Sequence, residues 1–278
     1  MLRLVKRAIA AAQVALLGVY SYLSFVTAVL IYFPLLAAAT VRGRGDPTRR
    51  LRGHTLRQFG RFNCYLSPIW RFSVDGKMPP DILTEPYVVV ANHESTADPF
   101  LLSFLPWDMR FISKDEVFRL PLLGWFLRLG GDIRLRRGER ESVKQMFEEC
   151  HRTLAGKLPV MFFPEGTRSP DGNLLPFKDG AFQLAIEAQV PVLPIALAGT
   201  RQCRPKGSIW FGYARARARV LEAVATKGMT PADLPRLREL VRDRIAKAAR
   251  ELRAELGLHS YEAGSVPHPP KGGAVSSA

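Results

Sequence analysis

Short apolar runs alternate with amphipathic stretches through the middle of the chain. The runs predict five strands, at residues 87–91, 110–112, 133–135, 160–163 and 190–198. The central runs show little polar alternation, which is typical of strands buried on both faces of a sheet. Apolar residues at helical spacing predict three helices, at residues 139–155, 179–188 and 235–256. This alternation predicts an α/β domain with a mostly parallel sheet flanked by helices.

A further strand is predicted at residues 215–220, where arginine and alanine alternate. A period of two indicates a strand with one wet face, which suits the edge of the sheet. In a parallel sheet, functional groups collect at the carboxyl ends of the strands. The residues that directly follow the apolar runs are therefore the candidates for function.

An uncharged segment precedes this domain. Residues 8–41 hold no formal charge over 34 positions, and one straight helix of that length would measure ~51 Å. A bilayer hydrocarbon core is only ~30 Å thick. The segment is expected to tilt, to break at Gly18 or Pro34, or to continue past the headgroups. A cleaved signal peptide is the competing interpretation, although its apolar region would span only ~7–15 residues.

The charge balance indicates an anionic partner. Forty Lys and Arg face 25 Asp and Glu, a formal net charge of +15, which favours anionic membrane lipids or nucleic acid. Nucleic acid is disfavoured, since the aromatic residues fall within the apolar runs and not among the basic residues. Basic residues flank the uncharged segment on both sides, which fits a single span or a re-entrant helix pair. The positive-inside tendency places the following domain on the cytoplasmic face of the membrane.

Composition divides the chain into four predicted parts: a membrane segment at 1–41, a basic linker at 42–53, a catalytic domain at 54–258 and a tail at 259–278. The tail is rich in Gly, Pro, Ser and Ala and is predicted to be disordered. The three cysteines are Cys64, Cys150 and Cys203. Their odd number and wide spacing argue against a disulfide framework and a zinc site, and favour buried, reduced thiols.

A candidate acid–base pair follows the run at residues 87–91. His93 and Asp98 lie five residues apart, and an imidazole oriented by a carboxylate suits removal of a proton from a hydroxyl. Asp98 before a proline also fits a helix N-cap, which is the plainer interpretation. Ser95 would be a nucleophile only in an elbow such as Gly-x-Ser-x-Gly, which is absent. No second histidine stands at ligand spacing, so no metal site is expected.

A candidate phosphate site follows the run at residues 160–163. The predicted turn comprises Glu165, Gly166, Thr167 and Arg168. Its glycine would expose backbone amides, and its arginine would offer a two-pronged donor. An ordinary turn with a surface ion pair is the plainer alternative. Arg137 and Lys114 follow two other runs and are further candidates, with a solvated basic residue as the alternative for each.

Four blocks of sequence resemble the lysophosphatidic acid acyltransferases, the glycerolipid acyltransferases of the PlsC type. They occur in order as NHESTAD at 92–98, GDIRLRR at 131–137, FPEGTRS at 163–169 and VPVLPIAL at 190–197. The resemblance covers roughly residues 86–199. It implies a glycerolipid acyltransferase-like α/β fold behind the membrane-embedded segment. It also implies transfer of a fatty acyl chain to the sn-2 hydroxyl of 1-acyl-glycerol 3-phosphate (lysophosphatidic acid), giving phosphatidic acid.

The resemblance also assigns roles to single residues. It implies that His93 is the general base and that Asp98 orients it. It also implies that Arg137, Glu165 and Arg168 bind the phosphate of the acceptor. The fourth block, with Pro194, is linked to acyl-donor binding or to the shape of the site, and the same role is assigned to Asn92 of the first block and Pro164 of the third. The family often has aspartate where this chain has Arg136, which leaves the acceptor headgroup open.

The acyl donor implied by the resemblance is acyl-CoA or acyl carrier protein. Because a thiol leaves readily, no cofactor is expected beyond this co-substrate. Two other functions stay open. One is acyl transfer to another lysolipid, such as a lyso-ornithine lipid or a lysophospholipid. The other is a basic membrane protein that binds lipid without catalysis.

Overall fold

The structure is a computed structural model, and it describes residues 2–169, 172–204 and 211–258. The predicted tail at 259–278 lies outside the described residues. The helices are α1 (Leu2–Arg42), α2 (Arg50–Leu66), α3 (Asp98–Leu102), α4 (Asp115–Phe118), α5 (Leu123–Gly130), α6 (Arg140–Ala155), α7 (Gly180–Ala188) and α8 (Leu234–Glu255). The strands are β1 (Trp70–Gly76), β2 (Val88–Ala91), β3 (Arg110–Lys114), β4 (Ile133–Leu135), β5 (Val160–Phe162), β6 (Val192–Ala198) and β7 (Ala214–Val220).

The strands form one sheet in the order β1-β7-β6-β2-β5-β3-β4. Neighbouring strands are parallel except for β6 and β7, which are antiparallel. The predicted α/β class and mostly parallel sheet are confirmed. The prediction that residues 215–220 form an edge strand is wrong, because β1 pairs along the whole of β7. The alternation marks the two faces of β7, with buried alanines and more accessible arginines, and not its place in the sheet.

Apolar layers cover both faces of the sheet. Val88 and Val90 of β2 pack with α6, α7 and α8, whereas Val89 and Ala91 pack with residues of the opposite layer, Leu101 among them. All four β2 side chains are fully buried. A strand that contributes to two cores has no wet face, which explains the unbroken apolar run.

Helix α1 runs through Gly18 and Pro34 without a break, which excludes the break from the three alternatives and leaves tilt or continuation past the headgroups. Its stretch Ala15–Arg42 is, among the described residues, the helix long and apolar enough to cross a membrane. Part of α1 packs on α2 and α5 in an apolar cluster that includes Ala28, Val29, Leu36, Phe59 and Phe126. The helix is thus an element of the fold as well as an apolar segment. Of the predicted linker, residues 50–53 already lie within α2.

A cluster of charged residues lies at the amino end of the sheet. Arg110, the first residue of β3, is buried and donates to the backbone carbonyls of Thr48 and Arg49, both at 2.6 Å. Burial lowers the pKa of Arg110 to about 10. A side chain at position 53 would collide with this guanidinium, since a Cβ there would lie 1.7 Å from Nη1. Gly53 therefore lets α2 approach the strand.

Asp132, two residues after α5, completes this cluster. Its Oδ1 accepts a hydrogen bond from the Phe111 amide at 3.3 Å. Burial raises the pKa of the Asp132 carboxyl to about 6, against the opposing charges of Arg110 and Arg57. Arg57 is itself buried and pairs with Asp108. The amino end of the sheet thus joins α2 to β3 and β4 through ionised groups.

Candidate active site

Four parallel strands bring the predicted site residues to one edge of the sheet. In the strand order, β2 is followed by β5, β3 and β4, so their carboxyl ends lie side by side. His93 follows β2, the turn with Arg168 follows β5, Lys114 ends β3 and Arg137 follows β4. Residues separated by up to 75 positions in the sequence, from His93 to Arg168, are therefore neighbours in the fold. We call this the catalytic edge.

The His93 ring is oriented by two contacts. Its Nδ1 lies 2.7 Å from Oδ2 of Asp98, and the ring stacks on Phe163 with 4.2 Å between centroids. The side chain remains 20% exposed. Within the described residues Nε2 has no hydrogen-bond partner. When Nδ1 carries the proton that Asp98 accepts, Nε2 has a free lone pair for a proton from substrate.

The Asp98 carboxylate is fully buried and saturated with donors. Oδ2 accepts the amides of Glu94 at 2.8 Å and Ser95 at 3.0 Å in addition to the His93 ring. Oδ1 accepts the hydroxyl of Thr200. The N-cap interpretation is wrong, because Asp98 is itself the first residue of α3 and Ala97 is the cap position. The carboxylate binds backbone amides that precede the helix, and so holds together the loop at residues 92–98, which we call the motif loop.

Glu94 supports the same loop from the other side. It is buried, and it accepts the Gly199 amide at 3.0 Å and the Arg253 guanidinium at 2.8 Å. Burial raises the pKa of Glu94, and the charge of Arg253 opposes that shift. Sequence reasoning missed Thr200 and Arg253. Both lie more than 100 positions from their partners, and neither stands in a local pattern that marks it.

Asn92 and Glu165 brace the backbone of the site. The Asn92 side chain exchanges two hydrogen bonds with the Leu197 backbone, at 2.7 and 3.0 Å, and so ties the end of β2 to β6. Glu165 accepts the His93 amide at 2.7 Å and the Leu175 amide at 2.9 Å. Burial raises the pKa of Glu165, and these two amides counteract it. Each Glu165 carboxylate oxygen accepts one of these hydrogen bonds. Glu165 therefore holds the backbone of the site in place and is not one of the exposed side chains that could bind a phosphate.

The remaining predicted residues shape the backbone around the site. Pro164 is buried and its carbonyl accepts the Lys178 amide at 2.9 Å. Pro194 lies in β6 opposite Val90 of β2, and its side chain is part of the sheet interior. Gly166 adopts φ 69°, a conformation that glycine tolerates without strain. Thr167 is exposed beside it.

Four cationic side chains gather on the catalytic edge. They are Lys114, Arg137, Arg168 and Lys178, and we call them the cationic cluster. Burial lowers the pKa of Lys114, and the charges of Arg137, Arg168 and Lys178 lower it further, against Glu116. Like charges that lie close enough to perturb one another indicate a site for an anion.

Lys178 is the member of the cationic cluster that sequence reasoning missed. A Cβ at position 166 would lie 3.1 Å from its Nζ, which places the ammonium beside the Gly166 turn. A sequence signal was present, since Lys178 lies two residues before helix α7, in the segment after the third block.

The arginines near this edge differ in whether they form ion pairs within the protein. Arg134 pairs with Asp115, and Arg136 lies 3.3 Å from Glu139 and 3.6 Å from Asp115. Arg137 and Arg168 form no hydrogen bond or ion pair with the described residues. Their guanidinium groups therefore remain available to a ligand.

A cavity of about 100 Å³ adjoins His93, with Ser169 and residues 172–174 on one side and helix α8 on the other. Its lining includes Glu94, Asn173 and Arg253. Among the described residues no group of three or more His, Cys, Asp or Glu side chains is arranged to hold a metal ion.

Comparison with known proteins agrees with this arrangement. A family profile described as Acyltransferase matches residues 71–198. The 1-acyl-sn-glycerol-3-phosphate acyltransferase alpha of Mus musculus is 34% identical over 237 residues, which are 83% of this chain and 80% of the mouse protein. A Chlamydomonas reinhardtii 1-acyl-sn-glycerol-3-phosphate acyltransferase is 36% identical over 188 residues, or 66% of this chain. That match covers 55% of the algal protein, so the chain spans about half the length of this relative.

A solved structure shares the fold. The crystal structure of the 1-acyl-sn-glycerophosphate (LPA) acyltransferase PlsC from Thermotoga maritima superposes with a TM-score of 0.73 at 26% identity. The match covers 88% of this chain and 98% of the Thermotoga protein. Given the extent of the mouse match and this shared fold, the chain belongs to the family of the 1-acyl-sn-glycerol-3-phosphate acyltransferases.

Proposed function

We propose that the protein transfers a fatty acyl chain from acyl-CoA or acyl carrier protein to the sn-2 hydroxyl of 1-acyl-glycerol 3-phosphate, giving phosphatidic acid. The observation that carries the proposal is the juxtaposition of the His93–Asp98 pair with the cationic cluster on one edge of the sheet. The first offers a base for a hydroxyl, and the second offers binding for a phosphate. An acceptor that contains both groups fits this edge.

The chemical step follows from the tautomer of His93. Nε2 takes the hydroxyl proton of the acceptor as its oxygen attacks the thioester carbonyl. The carbon–oxygen bond forms, the carbon–sulfur bond breaks, and the departing thiolate recovers the proton from the imidazolium. The Asp98 charge stabilises that imidazolium, and proton transfer of this kind contributes roughly 10²–10⁴-fold in rate.

The cationic cluster positions the acceptor. Arg168 and Arg137 offer two-pronged donors to the phosphate, while Lys114 and Lys178 add charge beside them. Glu165 acts through the backbone of His93 and not through the phosphate. Fixing the acceptor in this way makes its attack on the thioester nearly unimolecular.

Helix α1 would keep the enzyme at the membrane that holds its acceptor and product. Its apolar stretch Ala15–Arg42 supports membrane association. We place the catalytic domain on the cytoplasmic face, where basic flanks are favoured and where acyl thioesters are made.

The test is a turnover assay with purified full-length protein, a panel of lysolipid acceptors, and labelled acyl-CoA and acyl carrier protein. We expect lysophosphatidic acid to have the highest kcat/KM. Equal use of an acceptor that lacks the phosphate, such as a lyso-ornithine lipid, would contradict the proposed acceptor. If no acceptor were turned over, the remaining interpretation would be a membrane protein that binds lipid without catalysis.

The control variants separate chemistry from folding. His93→Ala should lower kcat by at least ~10²-fold and leave the melting temperature near that of the wild type. His151→Ala removes a histidine on the outer surface of α6, where it lies 3.3 Å from Glu187, and should keep full activity. Retention of more than a tenth of the wild-type kcat by folded His93→Ala would exclude the base role.

A further inference from the structure

An exposed apolar surface lies at the turn between helices α4 and α5 and on the first turn of α5. Leu120, Leu122 and Trp125 leave 49%, 36% and 51% of their surface accessible, although large apolar side chains gain free energy by leaving water. Leu122 adopts φ 63°, a conformation that is unfavourable for leucine. An exposed leucine held at this conformational cost, beside two other exposed apolar side chains, indicates a surface that a partner covers.

This surface is continuous with helix α1. The ring of Trp125 lies 6.4 Å from that of Phe33. Leu30 and Val26 precede Phe33 by three and seven positions, which places them on the same helical face, and Leu30 is among the most exposed residues of α1. This is the helix with the length and composition of a membrane span. A bilayer that covers this face of α1 therefore reaches Trp125.

Charge at the rim of the surface fits a lipid partner. Arg119 and Arg128 lie on either side of the apolar residues, and both are exposed. An apolar centre with tryptophan and arginine at its margin matches the boundary between acyl chains and anionic headgroups. We propose that residues 119–128 form a second membrane contact, inserted at the headgroup boundary of an anionic bilayer beside α1.

Such a contact would also bring the bilayer close to the cationic cluster. Lys114 precedes Leu120 by six residues and belongs to that cluster. A lysolipid could then present its phosphate to the cluster while its acyl chain stays in the bilayer. This consequence rests on the proposed function, whereas the membrane contact itself does not.

The first test measures insertion without any activity. Full-length protein is reconstituted into vesicles of phosphatidylcholine and phosphatidylglycerol whose acyl chains are brominated near the headgroup. The fluorescence of wild type minus that of Trp125→Phe isolates Trp125 from the other three tryptophans. We expect this difference signal to be quenched by the brominated lipid and protected from iodide in water. A signal quenched by iodide and not by brominated lipid would overturn the proposal.

The second test uses matched pairs of substitutions. Leu120→Ser with Leu122→Ser should raise KM for a long-chain acceptor in vesicles about tenfold, because apolar area no longer enters the bilayer. A short-chain, water-soluble acceptor should be used within about twofold of wild type. Val143→Ser with Leu240→Ser alters residues that are 37% and 39% exposed on the helices of the opposite face, and should change neither value.

Two outcomes of this second test would contradict the contact. One is an equal effect of both pairs on the long-chain acceptor. The other is a change of oligomeric state in light scattering with Leu120→Ser/Leu122→Ser alone, which would identify a second copy of the chain as the occupant. If no acceptor were turned over at all, the proposed reaction would fail, and the fluorescence result would still decide the membrane contact.

Discussion

Two aspartates at opposite ends of the sheet show how differently the same side chain can be held. Asp98 at the catalytic edge accepts the His93 ring, two backbone amides and the Thr200 hydroxyl. Asp132 at the amino end accepts a single hydrogen bond within the described residues, from the Phe111 amide at 3.3 Å. One carboxylate is surrounded by donors aimed at its oxygens, and the other mainly by desolvating protein and more distant charges.

The difference distinguishes a carboxylate that holds a histidine ring in place from one that joins parts of the fold. Donors fixed by the backbone hold a carboxylate in one position and orientation. At Asp132, burial outweighs the nearby arginines, and the pKa is raised to about 6. A half-buried aspartate beside basic groups is therefore insufficient to mark a catalytic site. The direction and number of its donors carry that information.

The same substitution at both aspartates gives the largest expected contrast. Asp98→Asn should lower kcat by ~10²–10⁴-fold, because the amide keeps the shape but loses the charge that stabilises the imidazolium. Asp132→Asn should keep kcat within about twofold. Steady-state kinetics on both variants tests this contrast. Equal losses of kcat would show that the two carboxylates do not differ in their importance for catalysis.

The cationic cluster takes part in the proposed reaction only if it recognises the acceptor. Arg168→Ala should lower kcat/KM for lysophosphatidic acid by about tenfold to a hundredfold, since a charge-assisted bond contributes roughly 1.5–3 kcal/mol. Arg168→Lys should recover part of the loss, because an ammonium lacks the two-pronged geometry. Arg136→Ala is the matched control, since that side chain lies beside Glu139 and Asp115. A change confined to the thioester KM would contradict the assignment.

Arg137 and Lys178 extend this prediction. Each alanine variant should weaken use of the same acceptor, by less than Arg168→Ala if the phosphate is shared among the cluster. The double variant Arg137→Ala/Arg168→Ala should then deviate from additivity, as expected for residues with a common ligand. Strict additivity of the two free-energy changes would argue that the arginines bind separate groups.

The donor set of Asp98 is tested at Thr200, which is fully buried. Thr200→Val removes the hydroxyl that binds Oδ1 and should lower kcat about tenfold, within the range for a hydrogen bond to a charged group. Thr200→Ser should restore most of the activity. Thr226→Val offers a control in a buried threonine that donates to the Val190 carbonyl at 2.7 Å, away from the site. Similar kcat values for both valine variants would exclude the positioning role.

The smallest effect on activity is expected at Asp132, and there the measurement is stability against pH. Its folded pKa of about 6 lies above the ~3.9 of an unfolded aspartate, so the folded protein binds this proton more tightly. Its contribution therefore favours folding at low pH and is lost between pH ~4 and ~6, by ~3 kcal/mol in total.

Unfolding in detergent across this range, with wild type compared with Asp132→Asn, isolates the contribution. The difference in unfolding free energy should change between pH 4 and pH 6 in favour of the variant. Parallel curves for the two proteins would show that the Asp132 carboxyl does not titrate there.

The order of the apolar runs predicted most of the sheet, because strands buried on both faces produce unbroken runs that composition reveals directly. Strand β1 (Trp70–Gly76) was not predicted, although its apolar and polar residues alternate. Its place beside β7 depends on pairing with residues 144 positions away. The edge assignment of β7 failed for the same reason, because a local pattern records which face is wet but not which strand lies alongside.

The site was predictable where function requires a group next to a strand end. His93, Asp98 and Arg168 could be located from the sequence because each stands in a compact motif. Thr200 and Arg253 could not, since their roles arise only when the chain folds back on the motif loop. Lys178 lay between these cases, close to the third block but outside it.

The hydrogen bonds from Arg253 to Glu94 and from Thr200 to Asp98 also set an order of events during synthesis. Helix α1 leaves the ribosome more than 200 residues before Arg253 does, at a rate of roughly 5–20 residues per second. For at least ~10 s the apolar helix is available to the membrane while residues 92–98 lack Arg253. The nascent chain can thus reach the bilayer before residues 92–98 have their full set of partners, which is complete only with the final helix.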